Sequence, residues 1–259
     1  NWRNLISVGA KPLAITNCLN FGNPEKTNVM GEFVECVEGI KEACEFLNFP
    51  VVSGNVSFYN ETNSKSIFPT PVIGGIGLLD NLNNIMSIKT KNPGNLIIVI
   101  GKTIGHLNQS AFLKENFSIC EGPPPEVNFV NEKNNGLAVL KLIKEKIALS
   151  VHDISSGGML VSLSEMSISS GLGLKIYKPK KMASALEYFF GEDQGRYLIE
   201  ISKNNLNRIE KFMKQNKIFF EVVAEVQNDI FEMEKIFSLK INDLHNFNNQ
   251  WYNNYNATN

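Results

Sequence analysis

Along the chain, short apolar runs give way to longer amphipathic ones, the pattern of strands alternating with helices. Pro12–Thr16 reads as a strand. From Asn28 to Phe49, Val29, Phe33, Val37, Ile40, Ala43, Cys44 and Leu47 recur at three- and four-residue spacing, which predicts a long amphipathic helix. Thr27 or Asn28 is placed to cap it, and Glu25 and Glu32 suit the positive end of its dipole. Val51-Val52 starts a short strand that runs into the polar loop Ser53–Asn63, and Pro71–Leu79 is a strand studded with Gly74, Gly75 and Gly77.

Asp80–Gly94, rich in Asn, Lys, Gly and Pro, predicts a crossing between two lobes. Beyond it the expected order is strand Asn95–Gly101, helix Glu132–Lys146, strand Ile147–Val151, helix Ser155–Ser170, strand Arg196–Ser202, helix Asn204–Asn216 and strand Phe219–Val226. The last fourteen residues lack apolar periodicity and are expected to fray. The fold class is therefore α+β or α/β, with lobes at residues 1–90 and 91–245 and a tail at 246–259. At 259 residues and 43% hydrophobic content, the chain is long enough for a substantial core.

A net charge of −1 argues against a generally basic nucleic-acid surface, and no apolar run approaches the length of a membrane span. Cys18, Cys36, Cys44 and Cys120 form no C-x-x-C pair, which fits a reduced, cytoplasmic protein with no disulfide framework. The abundant Asn residues carry no functional weight.

Four stretches have chemistry to offer. Ser53–Thr62 gathers small and polar groups around Gly54: backbone N–H groups can approach a ligand there, and Asn55, Ser57, Asn60 and Glu61 supply oxygens of the kind that suit Mg²⁺ or phosphate. An ordinary polar turn accounts for the same composition. Thr16–Pro24 runs from a strand end towards a helix, a favoured ligand position that is equally a plain connector; Cys18 within it has no neighbouring base. In His152–Gly158 the N–H groups of Ser156–Gly158 are placed to bind an anion or to take part in capping the next helix, while His152 and Asp153, as neighbours on an extended chain, are expected to point apart and not to hydrogen-bond side chain to side chain. Gly191–Arg196 is either a solvated turn or a polar site. His106 and His245 have no partners at metal-ligand spacing.

Taken together, the runs Gly9–Pro24, Pro50–Thr62, Pro69–Gly74, Val151–Gly158 and Phe190–Arg196 resemble the phosphoribosylformylglycinamidine synthase family. The likeness is to the synthase subunit of the bacterial three-component type, in its C-terminal repeat, and runs from about Arg3 to Leu244. It implies an aminoimidazole-ribonucleotide-synthetase-like two-lobe unit whose first, ATP-binding lobe is incomplete at its N-terminus, Arg3–Val8 resembling the end of a helix. It also implies a ligase of purine biosynthesis that uses ATP to activate formylglycinamide ribonucleotide as an iminophosphate, which ammonia then converts to the amidine.

By the same resemblance Gly54 contacts nucleotide, Asn55 is a Mg²⁺ ligand and Ser57 meets the substrate. Asn17 stands where the family usually has an aspartate that contacts the nucleotide. The Glu192–Gln194 turn is the counterpart of a substrate-binding segment of the first repeat. The implied partners are that first repeat, which carries the family's catalytic histidine and several metal-binding carboxylates, a glutaminase subunit and a small bridging subunit. The chain is thus expected to be a fragment or half that is inactive alone, the alternative being a non-catalytic nucleotide-binding or structural half.

Overall fold

The computed structural model describes residues 1–179 and 184–257, and the chain divides into two compact units, 1–83 and 84–259. In the first unit a short helix α1 (Trp2–Ser7) precedes strand β1 (Lys11–Asn20), the long helix α2 (Thr27–Leu47), strand β2 (Val51–Ser57), a small hairpin of β3 (Glu61–Thr62) and β4 (Lys65–Ser66), and strand β5 (Thr70–Leu78). β1 is central, parallel to β2 and antiparallel to β5. Leu19, Phe21 and Val29 form its core, with Phe33, Cys36, Ile40 and Phe58 packed against them. The expected helix is present but starts one residue early: Lys26 occupies the N-cap with no side-chain cap bond, so neither Thr27 nor Asn28 caps it. β2 extends to Ser57, so half of the expected loop is strand.

Much of this sheet is open. Val52 is 62% exposed, Val72 55%, Ile76 54% and Leu78 53%, and both β2 and β5 are edge strands. An apolar sheet surface bounded by two edge strands is a surface suited to a partner.

The second unit contains strand β6 (Leu96–Ile100), helices α3 (Ala111–Phe117) and α4 (Phe129–Lys144), strand β7 (Ala148–Asp153), helix α5 (Gly158–Ser170), strand β8 (Gly173–Ile176), helix α6 (Ala185–Phe190), strand β9 (Tyr197–Ile201), helix α7 (Leu206–Asn216), strands β10 (Phe220–Gln227), β11 (Ile230–Met233) and β12 (Phe237–Lys240), and helix α8 (Ile241–Ala257). Seven strands form one sheet in the order β12-β11-β8-β10-β6-β9-β7, antiparallel throughout except for β8 with β11. That predominance of antiparallel pairing makes the architecture α+β.

β6 and β9 are buried along their whole length because apolar side chains cover both of their faces. Ile97, Val99 and Leu198 share one core with Met159, Leu163 and Met166 of α5 and Tyr188 and Phe189 of α6. Alternation sends Ile98 and Ile100 to the other face. Val139, Leu142 and Ile143 of α4 and Ile209 and Met213 of α7 are also buried, and the Lys141 ammonium lies 4.9 Å from the Phe212 ring centroid.

The C-terminal residues expected to fray instead continue a helix from Ile241 to Ala257; the last two residues of that stretch, 258 and 259, lie outside the described residues. Among the described residues, no helix is long and apolar enough to cross a membrane.

Candidate functional site

The four residues singled out on the first unit fall on one strand pair. In the parallel register of β1 and β2, Asn17 stands opposite Gly54, Cys18 opposite Asn55 and Asn20 opposite Ser57. A β-carbon on Gly54 would run into the Asn17 carboxamide, so Gly54 and Asn17 share a face and only a residue without a side chain lets them approach. Strand alternation turns Asn55 and Ser57 to the opposite face. The four residues are therefore neighbours in register but divided between two faces. Asn17 and Asn55 make no side-chain hydrogen bond among the described residues, whereas Ser57 is engaged: Asn60 Nδ2 donates to its hydroxyl at 3.2 Å and to its carbonyl at 3.0 Å.

Just beyond the strand ends, two loops are tied together. Asn60 Nδ2 donates to the Phe21 carbonyl at 3.0 Å, and Tyr59 N to the Gly22 carbonyl at 2.9 Å. Glu61 accepts from Lys26 Nζ at 2.5 Å and from the Ser66 hydroxyl at 2.8 Å. Those two hydrogen bonds, Lys26 first, hold the Glu61 carboxyl below the ordinary carboxylate range. Glu61 is therefore committed to a clamp between the entry of α2 and the β3–β4 hairpin, and its charge is already compensated.

For Mg²⁺ the donor set falls short. Asn55 supplies one neutral oxygen, and Glu61, the carboxylate of this loop, is taken. Among the described residues no cluster of three or more His, Cys, Asp or Glu is placed to hold a metal. A hard cation needs several oxygens, charged ones above all. The residues of this unit do not make a Mg²⁺ site by themselves.

In the second unit, the turn Gly191–Arg196 is built of buried charge. Asp193, 6% exposed, accepts from three successive backbone N–H groups: Ile104 and Gly105 at 2.9 Å and His106 at 3.1 Å. Arg196, fully buried, donates to the Gly191 carbonyl at 2.6 Å, the Asp193 carbonyl at 3.0 Å and the Thr103 hydroxyl at 3.1 Å. Glu192 accepts from Ala111 N at 2.7 Å and Gly157 N at 2.8 Å.

This corrects the expectation at Ser156–Gly158. The Gly157 N–H meets the protein's own Glu192 carboxylate, and the Gly158 N–H bonds the Ser155 carbonyl at 3.1 Å, so these donors are not free for an external anion.

His152 also departs from expectation. Its Nδ1 lies 3.7 Å from Asp153 Oδ1 and its Nε2 2.8 Å from Glu165 Oε2, so the ring sits between two carboxylates. Burial alone would lower its pKa; the Asp153 and Glu165 carboxylates outweigh that and push it up to about 9.

The sequence reading missed Glu200 altogether. This fully buried carboxylate on β9 accepts from Lys91 N and Asn92 N, from Asn95 Nδ2 at 2.7 Å and from the Ser150 hydroxyl at 3.1 Å. It fixes the segment that leads into β6. The one visible signal was an acid inside an otherwise apolar strand, Tyr-Leu-Ile-Glu-Ile.

Comparison with known proteins places the fold in a class. Residues 92–233 match the family described as AIR synthase related protein, C-terminal domain, and residues 1–79 match its N-terminal domain. The chain belongs to the AIR synthase related family. More particularly, it is a homologue of phosphoribosylformylglycinamidine synthase subunit PurL: it is 49% identical to that of Pelagibacter ubique over 255 residues, 98% of this chain but 35% of the relative. The chain thus spans about a third of the length of that protein. Thermotoga maritima PurL, solved with ATP and with FGAR, superposes with TM-scores of 0.72 and 0.73 at 18% and 19% identity. Each superposition covers 94% of this chain and 39% or 41% of the other. Escherichia coli HypE, a hydrogenase maturation protein, superposes at 0.68 with 15% identity, covering 92% of this chain and 74% of its own. At such identities the superpositions speak for the fold alone.

Proposed function

We propose that this chain is the C-terminal repeat of an ATP-dependent C–N ligase of purine biosynthesis, one that converts formylglycinamide ribonucleotide, glutamine-derived ammonia and ATP to the formylglycinamidine. The reading is carried by the 49% identity to PurL, sustained along 98% of the chain and so through both units. Residues 1–90 then belong to the ATP-binding lobe, residues 91–245 to the C-terminal lobe and residues 246–259 to its terminal extension. The protein works in the cytoplasm with the first repeat of the same synthase, a glutaminase subunit and a small bridging subunit.

ATP, when bound, supplies the phosphoryl group that activates the amide oxygen of the substrate. The chain's own part is to bind and orient. Asn17 and Gly54 contact the nucleotide from one face of the β1–β2 pair, Gly54 by making room for the Asn17 side chain and Asn17 through a carboxamide that has no hydrogen-bond partner among the described residues. On the opposite face Asn55 offers one oxygen to Mg²⁺, whose charged ligands come from the first repeat, and Ser57 meets the substrate once Asn60 releases its hydroxyl. The open sheet of the first unit, with Val72 and Ile76 exposed, is the surface that the first repeat covers. A purely structural half would use that same surface and leave Asn17 and Asn55 idle.

Nucleotide binding separates the two readings. Calorimetric titration of ATP into the chain assembled with a first repeat is expected to weaken about tenfold or more in the Asn17→Ala/Asn55→Ala double variant, two lost hydrogen bonds at about 0.5–1.5 kcal/mol each. Unchanged affinity would leave the chain a structural half.

A further inference from the structure

We infer that the second unit carries a separate binding cleft for a small phosphate monoester bearing hydroxyl groups, a sugar phosphate being the simplest example. A cavity of about 370 Å³ opens where β6 ends, within the range of small-metabolite sites. Its floor is backbone. Gly101 has φ +97, and a β-carbon there would lie 2.6 Å from the Gly195 carbonyl oxygen, while Asn135 Nδ2 donates to that same carbonyl at 2.8 Å. No side chain fits between Gly101 and the Gly195 carbonyl, so the floor is tightly packed and fixed.

Lys102 and Lys217 line the cleft, and the strand register explains why. Ile100 pairs with Phe220, and Gly101 N donates to the Phe219 carbonyl at 3.0 Å, which carries the residues after β6 and those before β10 to one mouth. Neither ammonium has a hydrogen bond or ion pair among the described residues, and both lysines are exposed. On the helical wall, Asn131 and Asn134 of α4 also present side chains with no partner. Three acids line the cleft as well: Asp193 is spent on three backbone N–H groups, Glu132 is buried at the floor, and Glu126 is exposed. Two uncommitted cations suit a phosphate dianion, and uncommitted carboxamides, donors and acceptors at once, suit hydroxyl groups. The cleft lies wholly in the second unit and does not depend on the amidine-forming reading.

The test is calorimetric titration of the full chain with ribose 5-phosphate and, separately, with inorganic phosphate. Ribose 5-phosphate is expected to saturate with Kd below about 1 mM and to bind more tightly than inorganic phosphate. Lys102→Glu/Lys217→Glu should weaken both at least tenfold, and Asn134→Ala should weaken ribose 5-phosphate alone. All three positions are exposed, and retained circular dichroism would confirm folding. Absence of saturable binding by either probe, equal affinities for the two, or binding indifferent to the lysine pair would overturn the proposal.

Discussion

The Asn17 carboxamide lies over Gly54 on the adjacent parallel strand, in the space that a side chain at 54 would occupy. The two residues thus set one another's limits: Gly54 is small so that Asn17 can sit there. A β-carbon on Gly54 would also come within 2.9 Å of the Asn17 carbonyl oxygen, part of the main chain that cannot swing aside. Gly54→Ala should therefore cost about 1–3 kcal/mol, the usual range for overpacking. Adding Asn17→Ala should recover part of the loss and no more, since the carbonyl contact persists. Urea denaturation of the three variants checks this; a stable single variant would contradict the packing described.

A second consequence concerns association. With Val52, Val72, Ile76 and Leu78 more than half exposed and an edge strand on either side of β1, the chain by itself should self-associate. Light scattering after size exclusion should show species larger than 29.0 kDa, and Val72→Lys/Ile76→Lys should shift them towards monomer. A monodisperse monomer for the unmodified chain would show that this surface needs no partner.

The His152 ring gives stability a defined pH dependence. Its folded pKa is raised to about 9 from 6.5, so the stabilisation by Asp153 and Glu165 is complete below pH 6.5 and is lost as pH climbs through 9. With Glu165 half exposed, about 2 kcal/mol is a reasonable size for that loss, below the full linkage value of about 1.4 kcal/mol per pKa unit. Unfolding free energy measured at pH 6 and pH 9.5 should fall in the wild type and stay nearer level in His152→Gln. Parallel curves for the two proteins would remove His152 as the source.

At Glu200, charge and burial coincide most sharply. Glu200→Gln would turn an amide group towards donors that now meet a carboxylate, two of them backbone N–H groups of Lys91 and Asn92. A hydrogen bond to a charged group is worth about 1.5–3 kcal/mol, so the loss should exceed that of a typical surface substitution several-fold. Thermal unfolding reads it directly, and hydrogen exchange at Lys91 and Asn92 should quicken in the variant. A melting temperature unmoved by the substitution would mean that the carboxylate contributes nothing net.

Strong periodicity made parts of this architecture legible from sequence. Leu96–Ile100, five apolar residues in a row, admitted few readings other than a buried strand, and the spacing from Val29 to Leu47 announced α2 within two residues of its ends. β8, β11 and β12 escaped because four-residue strands give too little alternation to register. α8 escaped because Asn dominates it and its aromatic residues Phe247, Trp251 and Tyr255 remain exposed, so no buried face marked the helix.

In the candidate site, the stretches holding Asn17 and Gly54 were legible as two separate motifs, but their adjacency depends on the parallel pairing of β1 with β2, and the division of Asn55 and Ser57 to the other face on β2 continuing to Ser57. The buried roles of Glu192, Asp193 and Arg196 depend on which backbone N–H groups converge on that turn, a tertiary fact that local polarity does not encode. The same holds for His152, whose second carboxylate comes from Glu165, thirteen residues on and on another element.

Amidine formation tests the central claim most directly. The chain alone, given formylglycinamide ribonucleotide, ATP and ammonia, should give no product, because positioning and charge stabilisation come from several groups at once, and among the described residues no cluster of three or more His, Cys, Asp or Glu is placed to hold a metal. A chimera in which this chain replaces the matching third of Pelagibacter ubique PurL should form the amidine, and should lose most of that activity on Gly54→Val. Product from the chain alone, or a folded chimera with no turnover, would contradict the account.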